Sequence, residues 1–234
     1  MRRTALAAVC AAIALDLSAV VSAQVPPSHG EIAQYNGLFA AALANDTAQI
    51  KSLIARGEAA DQRDSYQRTP LHAAAYFAKH DAMRALAAAG ANPNTLESDR
   101  YDIVTIAAVA NDVPTLKIAL ELGCKATNIT SRYDGTALIA AAHLGHAEVV
   151  QTLIRAGAPL DHVNNLHWTA LIESIVLGNG GQQHTLTLEY LVEAGANLQL
   201  ADRSGATPLA LARARGYREM VSILEATGAR PRSK

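Results

Sequence analysis

Eight histidines and two cysteines are the residues of this 234-residue chain whose chemistry first invites a metal ion or a nucleophile. His143 and His146 make the tightest pair, but at i and i+3 across a helix break the two rings need not face one another. No Cys pair or neighbouring carboxylate completes a zinc set around them. Cys124 follows Gly123 in a slot for a small residue where a helix stops. With no histidine adjacent it reads as a packed thiol and not as a nucleophile. Gly178-Asn179-Gly180-Gly181 lacks the Lys-Ser or Lys-Thr that follows in a phosphate loop, and is read as a flexible inserted turn. Asn45-Asp46-Thr47 and Asn128-Ile129-Thr130 match an N-glycosylation pattern that has meaning only in a eukaryotic secretory route. No acid/base pair stands at believable spacing. These residues predict no catalytic set, no metal site, no cofactor and no enzyme.

The elements that would have to position such groups are periodic. Six apolar anchors, Leu38, Leu71, Val104, Leu138, Leu171 and Leu209, are spaced 33, 33, 34, 33 and 38 residues apart. Gly57, Gly90, Gly123, Gly157 and Gly228 each follow their anchor by 19 positions, and Gly195 follows Leu171 by 24. The fifth repeat therefore carries an insertion, at about residues 178–184. In Thr69-Pro70-Leu71-His72 and Thr207-Pro208-Leu209, a hydroxyl stands at a helix N-cap. Proline follows at the first helical position, where its missing N–H costs nothing. Ala-Ala pairs at 41–42, 74–75, 107–108 and 141–142 let neighbouring helices approach closely. After a break at Gly145-His146 or Gly216-Tyr217, a second amphipathic stretch such as Glu148 to Arg155 places Val149, Val150, Leu153 and Ile154 at helical spacing. The following Gly stops that helix in the left-handed conformation. Each unit is helix, turn, helix, extended loop, and six of them predict an all-α solenoid over residues 36–228.

These residues resemble the ankyrin-repeat family, whose pattern runs Asp-x-x-Gly-x-Thr-Pro-Leu-His-x-Ala-Ala-x-x-Gly-His before a Val/Leu-rich helix and Gly-Ala. Asp202-x-x-Gly205-x-Thr207-Pro208-Leu209 and Ala141-Ala142-x-x-Gly145-His146 carry it most fully. Asp102-Ile103 departs from Thr-Pro and Ser174-Ile175 from Ala-Ala, so the fifth repeat with its insertion is expected to bend or interrupt the stack. The resemblance implies that His72 and His146 bond between repeats. It also implies a concave surface built from the loop tips and the exposed ends of the first helices. Counted from the anchors, those places hold Tyr35, Tyr66, Arg68, Tyr76, Phe77, Tyr101, Tyr133, His143, Leu144 and Trp168, including seven of the ten aromatic residues. Aromatic side chains dominate interface energetics, so these ten residues are the expected partner-binding set. The alternative is that some of the rings only stiffen their loops.

Ahead of the repeats, Arg2 and Arg3, the apolar run Ala5 to Leu15 and the small residues Val21-Ser22-Ala23 form a secretory signal with cleavage expected after Ala23. Asp16 interrupts that run, short of the ~20 apolar residues a spanning helix needs. No membrane insertion is expected after cleavage. Removal of Cys10 would leave Cys124 alone, without a disulfide partner, which suits a bacterial periplasm, with secretion as the alternative. Residues 24–35, with Ser28 to Tyr35 as a short N-terminal cap, and the basic tail 229–234 flank the repeats. A net charge of −1 gives no electrostatic reason to expect nucleic acid. A hydrophobic share of 50% with 4% aromatic residues favours packed small-residue helices over a β-rich core. The expected function is binding of one protein partner by a monomer, as a periplasmic adaptor or an inhibitor of the immunity type. The alternative is an accessory factor for a periplasmic enzyme such as a catalase.

Overall fold

A computed structural model describes residues 24–228, so the expected signal segment, Cys10 and the tail from 229 lie outside the described residues. Within them the chain forms thirteen helices and no strand beyond an isolated bridge between Thr130 and Gly135. A capping helix α1 (His29–Gln34) precedes six helix pairs. The pairs are α2 (Gly37–Leu43) with α3 (Thr47–Ala55), α4 (Pro70–Tyr76) with α5 (His80–Ala88), and α6 (Ile103–Val109) with α7 (Val113–Glu121). Then come α8 (Ala137–Leu144) with α9 (Ala147–Arg155), α10 (Ala170–Val176) with α11 (Gln182–Glu193), and α12 (Pro208–Arg215) with α13 (Arg218–Gly228). No described helix is long and apolar enough to cross a membrane.

From the second repeat onward each first helix begins on a side-chain cap, because its first N–H groups have no partner within the helix. Thr69, Thr136, Thr169 and Thr207 accept the backbone N–H three residues on. Asp102 performs the same task for Thr105 at 2.8 Å, so the departure from Thr-Pro preserves the cap. The second helices stop at Gly57, Gly90, Gly123, Gly157 and Gly195, all with φ between 79° and 94°. Only glycine holds that conformation cheaply.

Helices stack in two rows, α2-α4-α6-α8-α10-α12 and α3-α5-α7-α9-α11-α13, each touching its neighbours in the row and its own partner across it. Leu38, Leu71, Val104, Leu138 and Leu171 are buried along this stack, and Leu209, in the last repeat, is partly buried. The alanine pairs between them are buried as well, which is what allows the rows to close. The stack continues through the fifth repeat, contrary to the expected interruption, because the inserted residues are taken up by the connection and by α11. That helix runs 12 residues where α3, α5, α7 and α9 run 9. Ser174 and Ile175 fit the Ala-Ala slot, both fully buried, with the serine hydroxyl turned onto Leu171 O at 2.8 Å. Tyr217 of the sixth repeat donates its hydroxyl to Gly178 O at 2.9 Å and packs on Gly180, tying the insertion down.

Candidate functional site

Between each second helix and the next first helix the chain makes a hairpin, closed by bonds such as Asp64 N to Arg68 O, Glu97 N to Tyr101 O and Asn164 N to Trp168 O, at 3.0, 3.1 and 3.0 Å. The turn is built around one side chain. Asp64, Glu97 and Asn164, each seven residues before an anchor, accept two backbone N–H groups of their own hairpin. Successive hairpins join through Ser98 N to Tyr66 O, Ser131 N to Arg100 O and Asn165 N to Tyr133 O, at 3.1, 3.1 and 2.9 Å. Over the middle repeats, tip residues such as Ser131 and Tyr133 and first-helix ends such as His143 and Leu144 border a common groove.

Several of the expected contact residues are spent inside this frame. Tyr35 donates its hydroxyl to Asp64 at 2.6 Å and stacks on Phe39, and burial pushes its pKa well above the ordinary phenol. Tyr66 donates to Asp99 of the next hairpin, and that bond, aided by burial, pushes its pKa up to about 12. Both rings bind one loop to the next, which is the stiffening alternative. Tyr101 is 5% exposed and belongs to the core. Its placement and the Tyr66 bond correct the expectation that both are free contact rings. Burial pushes Tyr76 up as well, and its buried hydroxyl has no hydrogen-bond partner. Phe77, the C-cap of α4, is exposed, and Trp168 is partly buried with its backbone N–H donated to Asn164 Oδ1.

Arg68 is fully buried, which rules it out as a surface contact. Its guanidinium pairs with Asp64 at 2.7 Å and with Glu31 of α1, lies over the Tyr66 ring at 5.1 Å, and donates to Val25 O at 3.1 Å. A buried charge needs this degree of satisfaction. The segment Gln24 to Pro27 therefore lies across the early repeats as a strap, and its Gln24 amide reaches Ile106 O of α6 at 2.5 Å.

Beyond the strap the groove opens into a cleft of about 70 Å³ over repeats three to five, with Tyr133, His143 and Leu144 in its walls. Tyr101, Thr105, Ile139, Asn164 and Glu173 line it as well. Glu173 is 3% exposed; its Oε1 accepts from Asn164 Nδ2 at 2.9 Å, and its Oε2 has no hydrogen-bond partner. His143 Nδ1 stands 3.4 Å from Oε2, so His143 does have a neighbouring carboxylate, supplied by the next repeat. His146 turns instead to Ala108 O at 2.9 Å, and burial lowers its pKa. His184 of the insertion bonds His143 O at 2.9 Å and covers Gly145, where a Cβ would meet its ring at 2.9 Å. Among the described residues no group of three or more His, Cys, Asp and Glu is placed to hold a metal ion. Cys124 is buried beside Asp102, and burial pushes its thiol far above the range in which it would ionise.

Glu173 and Asn164 were not among the residues expected from sequence. A signal for Glu173 exists: the position two past each anchor holds Ala40, Ala73, Ile106, Ala140, Glu173 and Leu211, and only one of these is charged.

A family model described as ankyrin repeats (3 copies) matches residues 9–97 and 104–183. The ankyrin repeat protein YahD of Escherichia coli (strain K12) is 31% identical over 194 residues, 81% of this chain and 94% of its own. The nuclear factor NF-kappa-B p105 subunit of Gallus gallus is 26% identical over 73% of this chain, which spans 17% of that protein. An ankyrin repeat domain from Acinetobacter baumannii AYE superposes with a TM-score of 0.76 at 40% identity, covering 82% of this chain and 98% of that one.

Proposed function

The chain belongs to the ankyrin-repeat family, and from that premise we propose that it is an exported, periplasmic protein that binds one protein partner through the groove of repeats three to five. Ankyrin repeats generally mediate protein–protein interaction, and the observation that carries this reading is the division of the groove. Over the early repeats Tyr35, Tyr66 and Arg68 are held by Asp64, Asp99 and the strap, whereas Tyr133, His143 and Leu144 line an open cleft. Side chains left unspent by the fold are those free to fill a partner's pockets. The bound protein serves either as the target of an adaptor or inhibitor, or as an enzyme that this chain supports.

Capture from a periplasmic extract, read by mass spectrometry, identifies the partner and separates these two roles. The double variant Tyr133→Ala/Leu144→Ala is expected to retain less than a tenth of that partner, a loss of about 1.4 kcal/mol or more, while keeping its helical circular dichroism. Undiminished capture would place the site elsewhere. Export has its own measurement: protein recovered from the periplasm should begin at Gln24, and recovery of the intact chain from the cytoplasm alone sinks the assignment.

A further inference from the structure

A buried carboxylate is expensive to keep. Removing a carboxylate from water costs several kcal/mol unless pairing and hydrogen bonds repay it, and an apolar residue of similar volume in its place is often neutral or stabilising. Five of the six repeats hold Ala, Ile or Leu two positions past the anchor, so the stack does not require a charge there. Glu173 is nevertheless 3% exposed, and one of its two carboxylate oxygens has no hydrogen bond. Oε1 is held by Asn164, while Oε2 is buried without a hydrogen-bond partner and has His143 Nδ1 only at 3.4 Å, beyond the 2.7–2.9 Å of a charge-assisted bond.

The surroundings say what would complete it. The cleft against Glu173 measures about 70 Å³, room for the end of one side chain. Of the residues lining it, Glu173 is the sole carboxylate, and none is Lys or Arg. Two nearby hydroxyls are already committed: Thr105 donates to Thr130 at 3.1 Å, and Thr136 caps α8. Tyr101 and Tyr133 also line it.

We propose that this cleft is a socket for one basic side chain of the bound protein, with Glu173 Oε2 as its counter-ion, a reading that rests on the groove being the partner-binding surface. Because a single carboxylate oxygen is free, the socket suits the compact ammonium of lysine better than the two-pronged guanidinium of arginine. The alternative neutralising group is the imidazolium of His143 itself.

N-acetyl-lysine methylamide, with N-acetyl-norleucine methylamide as the uncharged control, tests the socket by amide and imidazole chemical shifts of the full chain. Saturable shifts confined to Glu173, Asn164, His143 and Tyr133 are expected with the lysine probe. They should be absent with norleucine and lost in Glu173→Gln. No shift, or equal shifts with norleucine or in Glu173→Gln, overturns it. Glu173→Leu, which copies Leu211, is expected to melt no lower than the parent and to bind no lysine probe; lysine binding by that variant overturns the socket. Capture of the natural partner then divides this inference from its premise. Glu173→Gln should lose at least tenfold. Full capture by Glu173→Gln beside loss in Tyr133→Ala/Leu144→Ala leaves the groove standing and removes the socket, and full capture by both removes both.

Discussion

Burial holds the His72 imidazole neutral far below the pH at which a free histidine charges. Thr69 N donates to its Nδ1 at 3.1 Å, which leaves the proton on Nε2 to be donated to Thr95 O at 3.0 Å and Tyr101 O at 3.2 Å of the next repeat. Protonation would turn Nδ1 from acceptor to donor against that N–H. Desolvation accordingly pushes the pKa from 6.5 down to about 4. With the folded value depressed, the unfolded chain takes up the proton first, so stability is complete above about pH 6.5 and falls as the pH drops toward 4. The loss is on the order of 3 kcal/mol at about 1.4 kcal/mol per unit. Urea midpoints at pH 7 and pH 4.5 should differ less in His72→Gln than in the parent, and an equal difference would assign the acid sensitivity to other groups. The bonding role of His72 was legible from its Pro-Leu-His slot. The fates of Arg68 and Tyr66 were not, because the strap that accepts from Arg68 and the Asp99 carboxylate that accepts from Tyr66 come from other segments of the chain.

Among the elements, the turns closing the first helices make a sharper test than the helices themselves. Asn45, Ala78 and Asn111 sit at φ of 55°, 50° and 56°, and Gly145 and Gly216, in the same slot of later repeats, at 69° and 71°. A left-handed alanine is strained by its Cβ, and Ala78 is exposed with nothing to gain from its methyl. Ala78→Gly should raise the stability by about 0.5–1 kcal/mol, seen as a higher denaturant midpoint at unchanged slope, despite the greater freedom of unfolded glycine. A lower midpoint would mean that the turn gains nothing from losing the methyl group. A second periodic device ties one repeat to the next. Asp61, Asn94 and Asp161, each ten residues before an anchor, accept the N–H of Asn92, Lys125 and Asn197 in the next repeat at 3.0, 2.9 and 2.8 Å. Asn128 shares the slot, but its partner position is Pro159, which has no N–H, and its amide turns to Asn94 and Asp102 instead.

At the scale of the molecule, stability is a sum of neighbour contacts, and the strap is the one described segment that reaches past its neighbours, from the front of α1 to α6. A chain beginning at Ser28 loses the bonds from Arg68 to Val25 O and from Gln24 to Ile106 O and uncovers a buried guanidinium. The expected cost is about 1–2 kcal/mol, a fall of a few degrees in the calorimetric midpoint for a domain of this length. An unchanged midpoint would show that the strap lies on the repeats without holding them.

The period, the helix pairs, the caps, the glycine stops and the family were all determined by the sequence, because each arises from interactions within one repeat or between adjacent copies of it. Counting from Leu71 or Leu138 is enough to place them. Only the tertiary structure decided which groove side chains remain free. That depends on what arrives from outside the repeat: Glu31 and Val25 at Arg68, Asp99 at Tyr66, and Glu173 of the fifth repeat at His143 of the fourth. Periodicity fixes where a residue sits in its unit, whereas its availability is set by partners that the period does not specify.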